Sequence, residues 1–493
     1  MMNTSFASLF RLAFLAPVVA LASACVSTSG NSVSEREFAE IEGALLEHVE
    51  VLASDEFEGR RPGTRGEELT LSYLQNELEQ IGFVSGTNDP GNFWRAPVPL
   101  VSITPVDSRI KFTKSGRFIT LPPEQSVAFS TTRRALVGEA DMVFVGYARG
   151  EISPDLLKGK VALMLSEPGR SPARRAALLA NGAVSVITSV ATEGTIAQIR
   201  QTLAAERFQL ESQFEDSLVG FVSADALADA IGEQRWSTLL EGAESDTFEP
   251  VELNLKATVE ASSVRRDIRS ANLIARLPGS NPDAGAILML GHWDHFGICR
   301  SEAEPDRLCN GAIDNASGMA VIIELSRRLA SRGQLERDIY VLGTTAEEWG
   351  LLGTVAFVEN PPIDLANIVA AFNFDTVALA GRGEPVGFIG EGESQLSDTI
   401  VTMIEESGRT VGDRELAAQF IRRQDGWILT QAGVPTAMLS SAFGREEILM
   451  GYLSGVYHQP TDEVEGIILS GAVEDLLLHE TLIRHIADPG KYP

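Results

Sequence analysis

A chain of 493 residues is too long for one hydrophobic core and implies two or three domains. Its 44% hydrophobic and 22% charged residues are ordinary for a globular enzyme. A formal charge of −28 with no basic cluster argues against nucleic-acid binding and fits a well-solvated surface.

At the start of the chain, Arg11 precedes an apolar run over 12–21 that is too short for a comfortable membrane span, and Leu21-Ala22-Ser23-Ala24-Cys25 follows it. This resembles a bacterial lipoprotein signal over residues 1–24, with Cys25 as the lipidated first residue. A signal peptide cut at A-x-A is the alternative. Both imply export to the cell envelope, periplasmic or at the outer membrane, with a lipid anchor at Cys25 as the one route to a membrane. Residues 25–34 then form a polar tether.

Apolar residues Ile41, Leu45, Val49 and Leu52 share one helical face, so 38–52 is predicted helical. A turn over 55–64 leads to a second amphipathic helix, 67–80, closed by Gly82. Residues 35–98 are therefore expected to pack helices against a later domain. From 99 to 262 the texture changes to short β-rich runs, at 142–145, 161–164 and 184–187, with a helix over 172–180. F-V-G-Y-A from Phe144, L-K-G-K-V-A from Leu157 and N-G-A-V-S-V-I from Asn181 resemble a protease-associated domain. Any small β-rich insertion is the alternative.

Residues 263–493 alternate strands and helices, which predicts an α/β domain with a mostly parallel central sheet flanked by helices. Residues 271–277 read as an edge or early strand. The apolar run 287–290 ends at Gly291, and His292, Asp294 and His295 stand directly beyond it. Open α/β sheets place their chemistry at such strand ends. Asp314 sits in a second polar turn, and Ser317 opens a helix over 319–329. Strand-like 338–345 runs into Glu347 and Glu348, strand-like 368–374 delivers Asp375, and His458 follows a late loop before a C-terminal helix over 472–486. Two histidines and several carboxylates without a thiolate suit zinc in a hydrolytic site, and a carboxylate able to bridge suits two ions.

H-x-D at His292, D-N-A-S-G from Asp314, E-E-x-G-L-x-G from Glu347, N-x-D at Asn373, G-V-P at Gly433 and Y-H-x-P-x-D from Tyr457 resemble the co-catalytic zinc aminopeptidases of the M28 type, in order and spacing, across roughly the last 220 residues. G-R-x-P-G-T near Arg60 is similar to the start of the same zinc exopeptidase fold. The resemblance implies two Zn²⁺, one held by His292 and Asp375, the other by Glu348 and His458, with Asp314 bridging and the Asp314–Asn315 peptide cis. It makes Glu347 the general base, and Asp294 the group that orients the His292 ring through its other nitrogen. His295 has no assigned part and is expected behind the ligands or on the pocket wall. One place departs from the family pattern: Gln424-Asp425-Gly426-Trp427 stands where many members read S-D-H and an aromatic, with Asp425 kept.

The activity this implies is hydrolysis of N-terminal residues from peptides with a free amino end. Carboxypeptidase action, glutaminyl cyclisation and a non-catalytic binding role are the alternatives. Arg422, Arg423 and Arg445 are the cations a carboxypeptidase would need. Export makes Cys299 and Cys309 a disulfide pair, with a metal role as the alternative.

Overall fold

The computed structural model describes residues 33–245, 247–390 and 394–493, so the leader and Cys25 lie outside the described residues. Two helices open the fold: α1 (Glu35–Leu52), with the Ser34 side chain capping its first turn, and α2 (Arg65–Ile81), ended by Gly82 in the left-handed region. Their apolar faces, including Leu45, Leu52, Leu74 and Leu78, enter one core with the strands that carry Leu273, Ile287 and Val341.

The next segment is built on strands β1 (Arg95–Lys114), β2 (Ser126–Ser130), β3 (Arg134–Phe144), β4 (Val161–Leu165), β5 (Ser185–Val190), β6 (Leu218–Ser223) and β7 (Val251–Leu277). The expected short runs appear in β3, β4 and β5, with a helix α3 (Ser171–Ala180) packed on β5. β1 and β7 are different: they form one long antiparallel ladder, with a register shift at Ser262/Ser263, that runs through both ends of the 99–262 segment. The segment 271–277 is therefore the last part of a 27-residue strand. β3 to β6 pair in parallel, β2 closes the far edge, and a core of its own, with Phe112, Phe144, Leu163 and Trp236, fills this segment.

The sheet continues with β8 (Ala286–His292), β9 (Asp338–Thr344), β10 (Ile368–Asn373), β11 (Gly387–Gly390) and β12 (Thr436–Ser440). The order β11–β12–β10–β8–β9–β7 is parallel over its four central strands and antiparallel at β11 and β7. Helices α4 (Gly318–Ser331), α5 (Leu352–Glu359), α6 (Gln395–Glu406) and α7 (Ser470–Ile486) flank it. α4 is buried on nearly every side, with Met319 to Ile323, Leu325 and Leu329 all enclosed, which is why its sequence is apolar beyond one stripe. Ser317 does not cap α4 through its side chain; its hydroxyl donates to the Ile313 carbonyl within a π-type turn, Ala312–Ser317. All four parallel strands end on the same side, so His292, Thr344, Asn373 and Ser440 rim one crevice.

Glu67, in α2, is 5% exposed, and burial lifts its carboxyl to about 7 although Gly63 and Ser270 hydrogen-bond to it. A raised carboxyl binds its proton more tightly in the fold, so its contribution is present below the ordinary 4.5 and is lost as pH rises through 7. Between pH 4.5 and 8, Glu67→Gln is expected to remove about 3 kcal/mol of the pH-dependent fall in stability. Urea unfolding of both proteins at pH 5 and pH 8 checks this; parallel pH dependences would reject it.

Candidate metal centre

At the end of β8, Gly291 lets the strand cross close to Phe374, and His292 turns into the crevice. A loop from the other side supplies Asp314. Gly311 begins it at φ +60, where a Cβ would overlap the Asp314 carbonyl and the His295 ring, so glycine is required there. The Asp462 carboxylate accepts the N–H groups of Ile313 (2.9 Å) and Asp314 (3.2 Å), and Asn315 donates to the Phe374 carbonyl at 2.8 Å. The Asp314–Asn315 peptide is cis.

Beyond β9, Ala346 adopts a left-handed conformation and starts a single 3₁₀ turn, Glu347–Trp349, that turns the two glutamates to different surroundings. Asp375 follows β10, and His458, at φ +56, comes from the long loop before α7. The Cys299–Cys309 disulfide closes a loop beside it: Arg300 donates to the His458 carbonyl at 2.9 Å.

These side chains meet around Asp314. His292 Nε2 lies 3.2 Å from Asp314 Oδ1 and 3.6 Å from Asp375 Oδ1. His458 Nε2 lies 3.4 Å from Asp314 Oδ2 and 3.1 Å from Glu348 Oε2. Two compact donor groups result, His292–Asp314–Asp375 and His295–Asp314–Glu348, sharing one aspartate. Glu347 lines the same pocket beside them. The other ring nitrogen of His292, Nδ1, is paired differently from expectation: it faces the main-chain carbonyl of Asp294 at 3.1 Å, with the Asp294 carboxylate 4.0 Å away. That carboxylate instead accepts the Glu347 N–H at 3.2 Å. A tight turn after His292 brings the carbonyl nearer than the side chain.

Burial dominates the electrostatics. It raises Glu347 well above the ordinary glutamate range, opposed by His292 and reinforced by Asp425, Asp375 and Glu348. Burial likewise lifts Asp294 to about 8. Asp314 goes the other way, held low despite burial by His292 and His458. Burial would lower His458, yet the Asp314 and Glu348 carboxylates lift it to about 9. So much buried negative charge favours cations at this spot. Glu348 Oε1, His458 Nε2 and both ring nitrogens of His295 are buried without a hydrogen-bond partner, although carboxylate oxygens stand close by. Orphaned nitrogen and oxygen donors converging on common points, with no sulfur, fit zinc.

Beyond the carboxylates, Ile389, Phe420, Met438, Phe443, Leu449 and Leu453 make an apolar wall. Asp425 accepts the Thr344 and Thr354 hydroxyls, and Gln424 accepts from Asn373 at 2.9 Å, so this departure from the family pattern braces the pocket. Tyr452 brings a buried hydroxyl with no partner to the same wall. On the other side of His458 a cleft of about 990 Å³, lined by Arg61, Glu206, Phe296, Arg307 and Trp349, separates the 99–262 segment from the disulfide loop.

Residues 272–475 match the model of peptidase family M28. The "Probable lipoprotein aminopeptidase LpqL" of Mycobacterium tuberculosis is 26% identical over 280 residues, 49% of this chain and 52% of that protein. The "Probable glutamate carboxypeptidase VP8" of Zea mays is 30% identical over 162 residues, 30% of this chain and 21% of that protein. The chain thus spans about half the length of the first of these relatives and less of the second. In fold, the chain is similar to an aminopeptidase from Aneurinibacillus sp. strain AM-1, with a TM-score of 0.56 and 16% identity over 92% of this chain and 95% of that one.

Proposed function

Because residues 272–475 belong to peptidase family M28, we propose that this chain is an exported di-zinc metallopeptidase that removes N-terminal residues from peptides. The observation that carries the reading is the meeting of His292, Asp375, Glu348 and His458 around one shared carboxylate, Asp314, with Glu347 beside them and outside both donor groups. His292 and Asp375 would hold one ion, Glu348 and His458 the other. Zinc held there would supply Lewis-acid polarisation of the scissile carbonyl and a lowered pKa for the attacking water.

The remaining work falls to the chain. Glu347 takes the proton of that water on its carboxylate and returns it to the leaving amine; the N–H bond to Asp294 holds its backbone in place. The acidic pocket attracts the substrate's ammonium group, and the apolar wall receives its first side chain. The 99–262 segment, read as a protease-associated domain, walls the cleft on the leaving side and favours short peptides. A lipid-modified Cys25 would tether the enzyme to the envelope, a reading supported by the relative named a lipoprotein and by the cystine.

One observation favours carboxypeptidase action instead. Arg423, over the Phe420 ring, lines the pocket with no carboxylate partner among the described residues, whereas Arg445 is paired with Glu384 at 2.6 Å. A short peptide offered free, N-acetylated and C-amidated separates the two. Cleavage is expected to stop on acetylation and to survive amidation; the reverse pattern overturns the aminopeptidase reading.

A further inference from the structure

His295 is fully buried, a residue that no part of the proposed reaction uses. Its Nδ1 lies 2.6 Å from Glu348 Oε1, a close contact that helps hold the Glu348 carboxyl low, yet neither atom has an aligned hydrogen-bond partner. Its Nε2 has no partner either. An imidazole enclosed in this way, with two orphaned nitrogens, costs about 1–3 kcal/mol for each unpaired group. Simple bracing of Glu348 would satisfy both atoms and leave no such cost. The ring is also fixed: Gly311 approaches so closely that a Cβ there would lie 2.6 Å from it, and Phe296 and His458 pack edge-on against it. It therefore cannot swing away to find another partner.

We propose that His295 is a direct ligand of the ion on the Glu348 side, so that the two halves of the centre are unequal. This rests on the metal reading above. The Glu348 side then collects four protein donors, His295, His458, Glu348 and Asp314, while the His292 side collects three, His292, Asp375 and Asp314. Zinc with four protein ligands is closed, and zinc with three keeps a position for water or substrate. The His292 side is accordingly the open half, and the Glu348 side is the half that loads first and holds its ion longest.

The test is metal binding, independent of turnover. The full chain, stripped and reloaded with Co²⁺ or Zn²⁺, is titrated against a competing chelator while bound metal and the visible Co²⁺ spectrum are followed. The wild type is expected to bind two ions, one released well before the other. His295→Ala, with His295→Gln as the second variant should the first not fold, is expected to bind the tighter ion about 10- to 100-fold more weakly or worse, since loss of a mere supporting partner already costs that much. The Co²⁺ band of that half should change, while the weaker ion is unaffected. Two ions held by the variant with unchanged affinities and spectrum would overturn the His295 assignment alone. A wild-type chain that binds no stoichiometric metal would overturn the metal centre and this inference together.

Discussion

Replacing Glu347 with glutamine is expected to leave both zinc ions in place and to lower turnover by about 10²–10⁴-fold, the contribution of a positioned general base. Glutamine preserves shape and the N–H bond to Asp294 but cannot accept the proton of the attacking water. Glu347 is not in either compact donor group, so its loss removes no ligand. Glu348→Gln is expected to behave in the opposite way. Its carboxylate oxygens stand 2.6 Å from His295 Nδ1 and 3.1 Å from His458 Nε2, so neutralising it removes charge from the point where those donors converge. Zinc content by elemental analysis, measured beside kcat on an aminoacyl anilide, distinguishes the two. Equal zinc loss in both variants would end the division of labour between adjacent glutamates.

Part of this geometry was legible because His292, the Glu347–Glu348 pair and Asp375 stand where apolar runs stop, whereas Asp314 and His458 come from turns and loops. The runs at 287–290, 338–345 and 368–374 are buried parallel strands, and the residues just past them are His292, Glu347–Glu348 and Asp375. β1 and β7 were not legible as long strands. Around Arg265, Arg266 and Asp267 both faces are open and charged, so the apolar alternation that marks a strand breaks off there, and the partner strand, more than a hundred residues away, is not visible in sequence. The Asp294 carboxylate was misjudged for a local reason: H-x-D states which residue is near a histidine but not whether its side chain or its carbonyl faces the ring. His295 was placed near the site by its position just past the strand, but with a ligand set already complete without it, sequence could not tell a further donor from pocket wall. Asp462 and Arg60 were visible only as letters of motifs, because their partners at 313–314 and at 293, 310 and 311 are far away in the chain.

Arg60 carries the second large expectation. It is 1% exposed, and its guanidinium donates to four main-chain carbonyls: Leu52 (2.8 Å), Trp293 (2.8 Å), Asn310 (2.6 Å) and Gly311 (2.9 Å). One side chain thus ties the end of α1 to both loops that carry the candidate ligands. Burial lowers its pKa to about 10, with Asp314, Asp462, Asp294 and Glu348 acting to raise it, so it stays charged at neutral pH and offsets that carboxylate cluster. Arg60→Met takes the donor from four buried carbonyls, of which Gly311 keeps only the Ala316 N–H, and removes a buried cation that offsets the cluster. The expected loss is about 3–5 kcal/mol in unfolding free energy of the metal-free protein. Lysine should rescue little, because one ammonium on a flexible stem cannot span four acceptors arranged for a planar fork. Zinc binds the native state and supplies the missing positive charge, so the gap between wild type and variant should narrow as zinc is added. Urea unfolding with chelator and with excess zinc measures both effects. A loss below about 1 kcal/mol would mean that the loops hold their shape without Arg60. A gap that does not narrow with zinc would mean that its charge is of no consequence to the cluster.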